Sequence, residues 1–184
     1  MKKTIIVLTG LMACGKDVTK KYIEEKYGAK SLKFSQIMRD ILNRLHLENS
    51  RDNIIEVSTI LRESFGQDLL AKVITEDAKK IDAPIVILDG ARREEDLIYA
   101  EQLPSFNLIS VDAKPEIRYE RAKSRNENAG DAEKTFEMFL EDHKKPTELG
   151  IPGLMKKAKY QIDNSGGFEE LHKQIDDIMS KILS

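Results

Sequence analysis

Short apolar runs alternate with longer segments of helical periodicity along this chain. The runs lie at residues 4–8, 31–34, 85–88, 107–111 and 160–162, and each has the length and character of a buried strand. Such alternation predicts an α/β fold in which five parallel strands form a sheet with helices on both faces. In a sheet of this kind, ligands bind at the carboxyl ends of the strands.

Residues 35–80 depart from this alternation, because they carry helical patterns with no strand between them. Ser35 can cap a first helix, whose apolar face is formed by Ile37, Met38, Ile41, Leu42 and Leu45. A polar break follows at residues 48–53, and two further helices are parted near Gly66. We expect a helical insertion over the carboxyl edge of the sheet.

The composition is that of an ordinary soluble domain. The 184 residues suit one domain with a substantial core, and 40% of them are hydrophobic while 34% are charged. Thirty basic and thirty-two acidic side chains leave a net charge of −2, which favours neither nucleic acid nor an anionic membrane as a partner. The single cysteine, Cys14, excludes an internal disulfide and fits a cytoplasmic protein.

The strongest chemical motif is TIIVLTGLMACGKDVT at residues 4–19. An apolar strand leads into Gly10, four variable positions, Gly15 and Lys16, and a helical segment that Gly28 can close. Glycines let backbone amides converge on phosphate oxygens, the helix N-terminus adds positive potential, and the lysine can reach the β- and γ-phosphates. The motif predicts a phosphate-binding loop, although Asp17 stands where Ser or Thr is usual.

The same residues permit a second interpretation, a lipoprotein signal whose modified residue would be Cys14. That interpretation leaves Lys16 and the glycines without a role, and Thr4, Thr9 and Gly10 interrupt the apolar region. We therefore favour the loop. Its position just before Gly15 leads us to expect a partly exposed and reactive Cys14.

A second informative stretch, IVILDGARREEDL at residues 85–97, ends a buried strand at Asp89. At a strand tip opposite the loop, this carboxylate can hold Mg²⁺ or its water. Gly90 permits a tight turn, after which Arg92 and Arg93 can clamp a second phosphate group. The alternative is that Asp89 only caps a helix and that the arginines are solvated.

Several segments resemble the nucleotide and nucleoside monophosphate kinases of the P-loop class. They are FSQIMRD at 34–40, STILRESFGQDLLAKVI at 58–74, LDGARR at 88–93, VDAKPEIRYERAKSR at 111–125 and YQIDNSGGFEEL at 160–171. The segment at 58–74 is similar to deoxynucleoside monophosphate kinases, and the segment at 160–171 to dephospho-CoA kinase relatives. The resemblance implies a three-layer P-loop NTPase fold, with ATP and Mg²⁺ serving γ-phosphate transfer to a small phosphorylated acceptor. It leaves a monomer and a homodimer equally open.

The resemblance also implies roles for individual residues. Those expected at the donor nucleotide are Gly10, Met12, Ala13, Cys14, Gly15, Lys16, Asp17, Val18, Thr19 and, near the adenine, Asn164. Those expected at the acceptor are Arg39, Arg62, Asp89, Arg92 and Arg93. Those expected to act on the transferring group are Lys16, Asp89, Arg92, Arg121 and Arg125, the last two at the start of a short helical lid at about 122–150. Asp17 and Asp89 are the expected metal ligands. Asp17 can ligate the ion directly or through water, or it can lie at the helix start as a dipole partner while Thr19 supplies the hydroxyl, and we favour the second arrangement.

No residue stands out as a general base, and His46, His143 and His172 are expected to be exposed. A GTPase-type switch is the alternative class, but no N-K-x-D sequence for guanine recognition occurs in the chain. The acceptor itself stays open, because adenylate, cytidylate, deoxynucleotide, dephospho-CoA and phosphomevalonate kinases share this scaffold.

Overall fold

A computed structural model describes residues 3–125 and 134–184. Five strands, β1 (Thr4–Thr9), β2 (Lys30–Lys33), β3 (Ile85–Asp89), β4 (Phe106–Asp112) and β5 (Tyr160–Asp163), form one parallel sheet. Their order across the sheet is β2-β3-β1-β4-β5. All five apolar runs are therefore confirmed as strands, and the predicted α/β class is correct.

The helices are α1 (Lys16–Tyr27), α2 (Phe34–Arg44), α3 (Arg51–Phe65), α4 (Leu69–Lys80), α5 (Pro115–Arg125), α6 (Phe136–Asp142), α7 (Ile151–Lys157) and α8 (Phe168–Leu183). A 3₁₀ turn spans Glu94–Asp96. Within the described ranges, none of the helices combines the length and apolar character needed to cross a membrane. The predicted lid at about 122–150 is described only in part, because residues 126–133 lie outside the described residues.

The sheet is the middle layer of three, as the side chains of β1 make clear. Ile5 and Val7 belong to the core cluster shared with α2, α4 and α7, whereas Ile6 and Leu8 belong to the cluster shared with α1 and α8. All four side chains are at most 2% exposed. Burying one aliphatic side chain of this size contributes roughly 1.5–3 kcal/mol, so the central strand is strongly held.

Most of the predicted helix ends are correct. Gly28, at φ 67°, caps α1, and Gly66 separates α3 from α4. The predicted cap at Ser35 is wrong, because β2 runs into α2 without a loop and the extended Lys33 occupies the cap position. Ser50 caps α3 instead, and its hydroxyl accepts a hydrogen bond from the Asn53 amide at 3.2 Å. The insertion thus consists of three helices between β2 and β3.

Candidate active site

The phosphate-binding loop connects β1 to α1 at the carboxyl edge of the sheet. Three of its residues, Gly10, Ala13 and Gly15, have φ values of 150°, 59° and 102°. A Cβ at Gly10 would lie 2.2 Å from the carbonyl oxygen of Val111, so only glycine lets the loop pass this close to β4. The ammonium of Lys16 folds over the loop and donates to the carbonyls of Gly10 at 2.6 Å and Leu11 at 3.2 Å.

Asn164, between β5 and α8, fastens this loop to the rest of the site. Its side-chain Nδ2 donates to the carbonyl of Cys14 at 2.9 Å, and its backbone amide donates to the carbonyl of Asp112 at 2.7 Å. Its own carbonyl accepts from Nη2 of Arg121 at 2.9 Å. Asn164 is only 4% exposed, so its amide group supports the loop from below. Asn164 therefore lies beneath the phosphate-binding loop, and its expected position near the adenine stays a prediction.

Cys14 is not the exposed thiol that its position suggested. It is 0% exposed and belongs to the core cluster under α1 and α8. The left-handed turn at Ala13 comes directly before it, and the side chain packs against the sheet while the backbone stays in the loop. The expectation of a partly exposed cysteine is therefore wrong, and burial predicts a thiol that reacts slowly.

The remaining loop and helix positions have mixed surroundings. Met12 and Val18 are half-buried, and Asp17 is exposed. Thr19 is fully buried and its hydroxyl donates to the carbonyl of Gly15 at 3.1 Å. A hydroxyl that donates its proton keeps its oxygen lone pairs, so this bond does not exclude a metal ligand, and the substitute role of Thr19 stays a prediction.

Lys20 joins the loop helix to the tip of β3. Its Nζ lies 2.7 Å from Oδ2 of Asp89 and 2.9 Å from Oδ1 of Asp17. The Nζ of Lys33 lies 3.6 Å from the same Asp17 oxygen. Burial lowers the pKa of Lys20, but hydrogen bonds and charge from Asp89 and Asp17 outweigh it and hold that pKa above its ordinary value. The ammonium therefore remains charged at neutral pH.

The contacts of Lys20 determine whether Asp17 and Asp89 are available to bind Mg²⁺. The two predicted ligands, Asp17 and Asp89, both bind the ammonium of Lys20. Within the part of the chain that the structure describes, no group of three His, Cys, Asp or Glu residues could hold a metal ion. The described geometry thus does not fit a metal ion ligated by these carboxylates.

Asp96 organises the turn that follows β3. Its Oδ2 accepts from the backbone amides of Arg92 and Arg93, at 2.9 Å and 3.1 Å, and its Oδ1 accepts from Nη2 of Arg62 at 2.7 Å. Asp96 is 2% exposed and Arg62 is 6% exposed. Arg62 therefore belongs to a buried ion pair that supports the turn, and its predicted contact with an acceptor phosphate is corrected on this ground.

Three predicted acceptor arginines are more accessible. Arg92 is paired with Glu148 and its side chain is 48% exposed, while Nη1 of Arg93 donates to Oε1 of Gln67 at 3.2 Å. Arg39, half-buried on α2, makes no hydrogen bond or ion pair with any residue in the described ranges. These three guanidinium groups are the ones that the structure leaves able to meet an anion.

Helix α5 contributes Arg121, whose Nη1 is buried without a hydrogen-bond partner among the described residues. The side chain of Arg125, four residues later, lies outside the described part of the chain. Arg118, which sequence reasoning missed, is 4% exposed, and its Nε donates to the carbonyl of Ala113 at 3.0 Å. Its Nη1 lies 2.6 Å from Nε2 of His143.

All three histidines are expected from the sequence to be exposed, but two of them, His143 and His172, are partly buried. His46 is exposed as predicted. His143 is partly buried, and burial together with the charge of Arg118 holds its pKa below 6.5. His172 stacks on Tyr22 with 3.8 Å between the ring centroids. None of these surroundings places a histidine at the phosphate-binding loop.

Lys20 and Asp96, like Arg118, are residues that sequence reasoning did not select. In the sequence, Lys20 resembles an ordinary lysine on a helix surface. The only feature that sets it apart is its position one turn after Lys16 on α1. Asp96 lies three residues after Arg93, the spacing of a side chain that caps a short turn. Both partners of Asp96 on the turn are backbone amides, which no residue pattern reveals.

Comparisons with known proteins agree with this architecture. Residues 6–142 match a family model described as an AAA domain. The UPF0200 protein of Thermococcus kodakarensis is 30% identical and the alignment covers 98% of both chains. The UPF0200 protein of Methanocaldococcus jannaschii is 28% identical over 98% of this chain and 91% of its own.

Solved structures extend the similarity in fold. Shikimate kinase from Bacteroides thetaiotaomicron superposes with a TM-score of 0.65 at 13% identity, covering 98% of this chain and 99% of its own. Shikimate kinase from Acinetobacter baumannii, in complex with shikimate, gives a TM-score of 0.55 at 16% identity, covering 98% and 93%. At such identities the likeness concerns the fold alone, a parallel α/β sheet with a phosphate-binding loop after its first strand. On its AAA-domain match and its full-length relatives, the chain belongs to the UPF0200 family of P-loop proteins.

Proposed function

We propose that this protein is an ATP-dependent small-molecule kinase that transfers the γ-phosphate to a phosphorylated acceptor. The observation that carries the proposal is the convergence of the phosphate-binding loop and the Asp89 turn at one edge of the sheet. Leu8 pairs with Asp89 in the register of β1 and β3, so the two segments leave the sheet side by side. Donor phosphates and a second phosphorylated group can therefore meet there.

The donor half of the site is the loop from Gly10 to Lys16. Its backbone amides and the N-terminus of α1 present positive potential to phosphate oxygens. We expect Lys16 to exchange its contacts with the loop carbonyls for contacts with the β- and γ-phosphates. Because phosphoryl transfer depends mainly on alignment and charge stabilisation, these groups account for the chemistry without a general base.

The acceptor half is formed by Arg39 on α2 together with Arg92 and Arg93 on the Asp89 turn. Each charge-assisted contact with a phosphate contributes about 1.5–3 kcal/mol, so two or three of them favour an acceptor that already carries phosphate. A nucleoside monophosphate or a nucleotide-like molecule such as dephospho-CoA fits this requirement. Arg121 is the candidate for neutralising the transferring group.

A panel of acceptors tests the proposal directly. The purified protein is incubated with MgATP and, in turn, adenylate, cytidylate, deoxycytidylate, dephospho-CoA, phosphomevalonate and unphosphorylated shikimate, and formation of ADP and phosphorylated product is measured. We expect turnover with one or more phosphorylated acceptors and a thermal shift with ATP. No turnover across the panel together with no thermal shift would overturn the proposal.

A further inference from the structure

We propose that Lys20 is a resident cation of this site, whose ammonium takes the position between Asp17 and Asp89 that the loop motif assigns to a protein-held metal ion. Divalent metal then reaches the site only on the phosphates of the nucleotide. Lys20 thereby acts as a positioning residue, because it holds the Asp89 carboxylate at the tip of β3 whether or not metal is present.

The geometry that supports this role is a buried, doubly paired ammonium. Lys20 and Asp89 side chains are 9% and 8% exposed and lie 2.7 Å apart, and the second contact, to Asp17, measures 2.9 Å. The partner carboxylate is 69 residues away in the chain, on a different element. A buried carboxylate without a cation is strongly unfavourable, so Asp89 requires either this ammonium or a substitute for it.

An ammonium and a divalent ion compete for the same oxygens. Lys has three N–H donors that can satisfy carboxylate oxygens, and Mg²⁺ and Mn²⁺ prefer those same oxygens as ligands. A divalent ion bound between the two aspartates would lie within a few ångströms of the Lys20 charge and be repelled by it. Lys33, 3.6 Å from Asp17, adds a second positive charge on the exposed side.

This part of the inference rests on the proposed kinase function. In that kinase, orienting Asp89 and binding the metal would be done by different groups. The chain orients Asp89 with its own cation, and the nucleotide brings its own metal. The metal-free and nucleotide-free protein can still be tested, so the outcome does not depend on finding the acceptor or on any turnover.

The test is a titration with MnCl₂ alone, followed by the electron paramagnetic resonance signal of free Mn²⁺. Nucleotide-free wild type, Lys20→Met and Lys21→Met are compared at equal concentration. Lys21 is the matched control, because it lies next in the helix but is exposed and 3.7 Å from Glu25. We expect Lys20→Met to bind Mn²⁺ at least about tenfold more tightly than wild type and Lys21→Met to resemble wild type.

A second substitution identifies the ligands. The gain in Mn²⁺ affinity should disappear in Lys20→Met combined with Asp89→Asn. A folded Lys20→Met protein, judged by circular dichroism and a cooperative melt, that binds Mn²⁺ no better than wild type would overturn the proposal.

Wild type also provides a test that needs no change at Lys20. If Lys20→Met does not fold, wild type and Asp89→Asn are titrated side by side. Stoichiometric Mn²⁺ binding by nucleotide-free wild type that is lost in Asp89→Asn would show a protein-held metal and overturn the proposal. Equal, weak binding by both would support it. Failure of the acceptor panel would leave either result unchanged.

Discussion

Nδ2 of Asn164 lies 2.9 Å from the carbonyl oxygen of Cys14, which bonds the turn between β5 and α8 to the phosphate-binding loop. The two residues are 150 positions apart in the chain. Because the Asn164 carbonyl also accepts from Arg121, the loop and α5 share one anchor. We expect the shape of the loop to depend on this anchor more than on any other single side chain.

The first prediction therefore concerns Asn164→Ala. Removing the amide leaves the Cys14 carbonyl without its buried donor, at a cost of about 1–3 kcal/mol, and should raise the KM for ATP. Urea denaturation and steady-state kinetics measure the two effects. Asn107→Ala is the matched control, since this buried amide donates to the Ser105 carbonyl at 3.1 Å, far from the loop. If Asn164→Ala and Asn107→Ala lost equal stability and had the same KM for ATP, Asn164 would not be an anchor of the loop.

The second prediction tests the donor lysine. Lys16→Ala should reduce kcat by about 10²–10³, equivalent to about 2.7–4 kcal/mol, because a positive charge at the transferring phosphate is lost. Lys21→Ala, an exposed lysine on the same helix, should leave kcat within a factor of two of wild type, roughly the spread of ordinary surface substitutions. If Lys16→Ala turned over as fast as wild type, the phosphate-binding loop would have no role in phosphoryl transfer.

The third prediction separates two arginines that the sequence motif grouped together. Arg39→Ala should weaken use of the acceptor while ATP affinity and stability stay near wild type, since Arg39 has no hydrogen-bond or ion-pair partner among the described residues. Arg62→Ala should instead destabilise the fold by about 3–5 kcal/mol, because it leaves the Asp96 carboxylate buried without its cation. Calorimetric titration with ATP and urea unfolding distinguish these outcomes. If Arg39→Ala weakened ATP binding as much as it weakened use of the acceptor, Arg39 would belong to the donor site.

The fourth prediction concerns Cys14, which the structure buries completely. Iodoacetamide should label the native protein slowly and the urea-unfolded protein rapidly, because the thiol must leave the core before it can react. Intact mass at timed intervals measures both rates. Fast labelling of the native protein would mean that the loop opens often enough to expose the thiol.

The fifth prediction is a pH dependence that arises from His143. Its folded pKa lies below 6.5, so the unfolded chain binds a proton more readily, and stability should fall as the pH drops from 7.5 through about 6.5 towards 5. The charges that face it are Arg118, which opposes protonation, and Glu148, which favours it. The pKa of Asp142 is also lowered. Its contribution to the free energy of unfolding is lost only at more acidic pH, below the ordinary aspartate pKa of 3.8.

Urea unfolding at pH 7.5 and pH 5 measures this effect in wild type and in His143→Gln. Glutamine can still accept a hydrogen bond from Arg118 but does not titrate. The difference in unfolding free energy between the two pH values should therefore be smaller in His143→Gln. An unchanged difference would assign the pH dependence to other groups.

Sequence periodicity is informative where the interactions are local. The β1–loop–α1 unit and the helices of the insertion follow from apolar spacing, from glycines at positive φ and from the polar break before α3. The Lys20–Asp89 pair, the Arg62–Asp96 pair and the Asn164–Cys14 bond join residues that are 69, 34 and 150 positions apart. Such partners depend on the order β2-β3-β1-β4-β5, and apolar spacing does not specify the order of strands.

The surroundings of the two loop glycines carry a consequence for genetic selection. A side chain at position 10 would meet backbone, the carbonyl of Val111, whereas one at position 15 would meet the removable side-chain amide of Asn164 at 1.9 Å. A random library should therefore yield suppressors of Gly15→Ala at position 164. Their rescue should be partial, because a φ of 102° still strains alanine and because the exchange removes the bond from Asn164 to the Cys14 carbonyl. For Gly10→Ala no exchange of a neighbouring side chain can make room, so revertants should restore glycine itself.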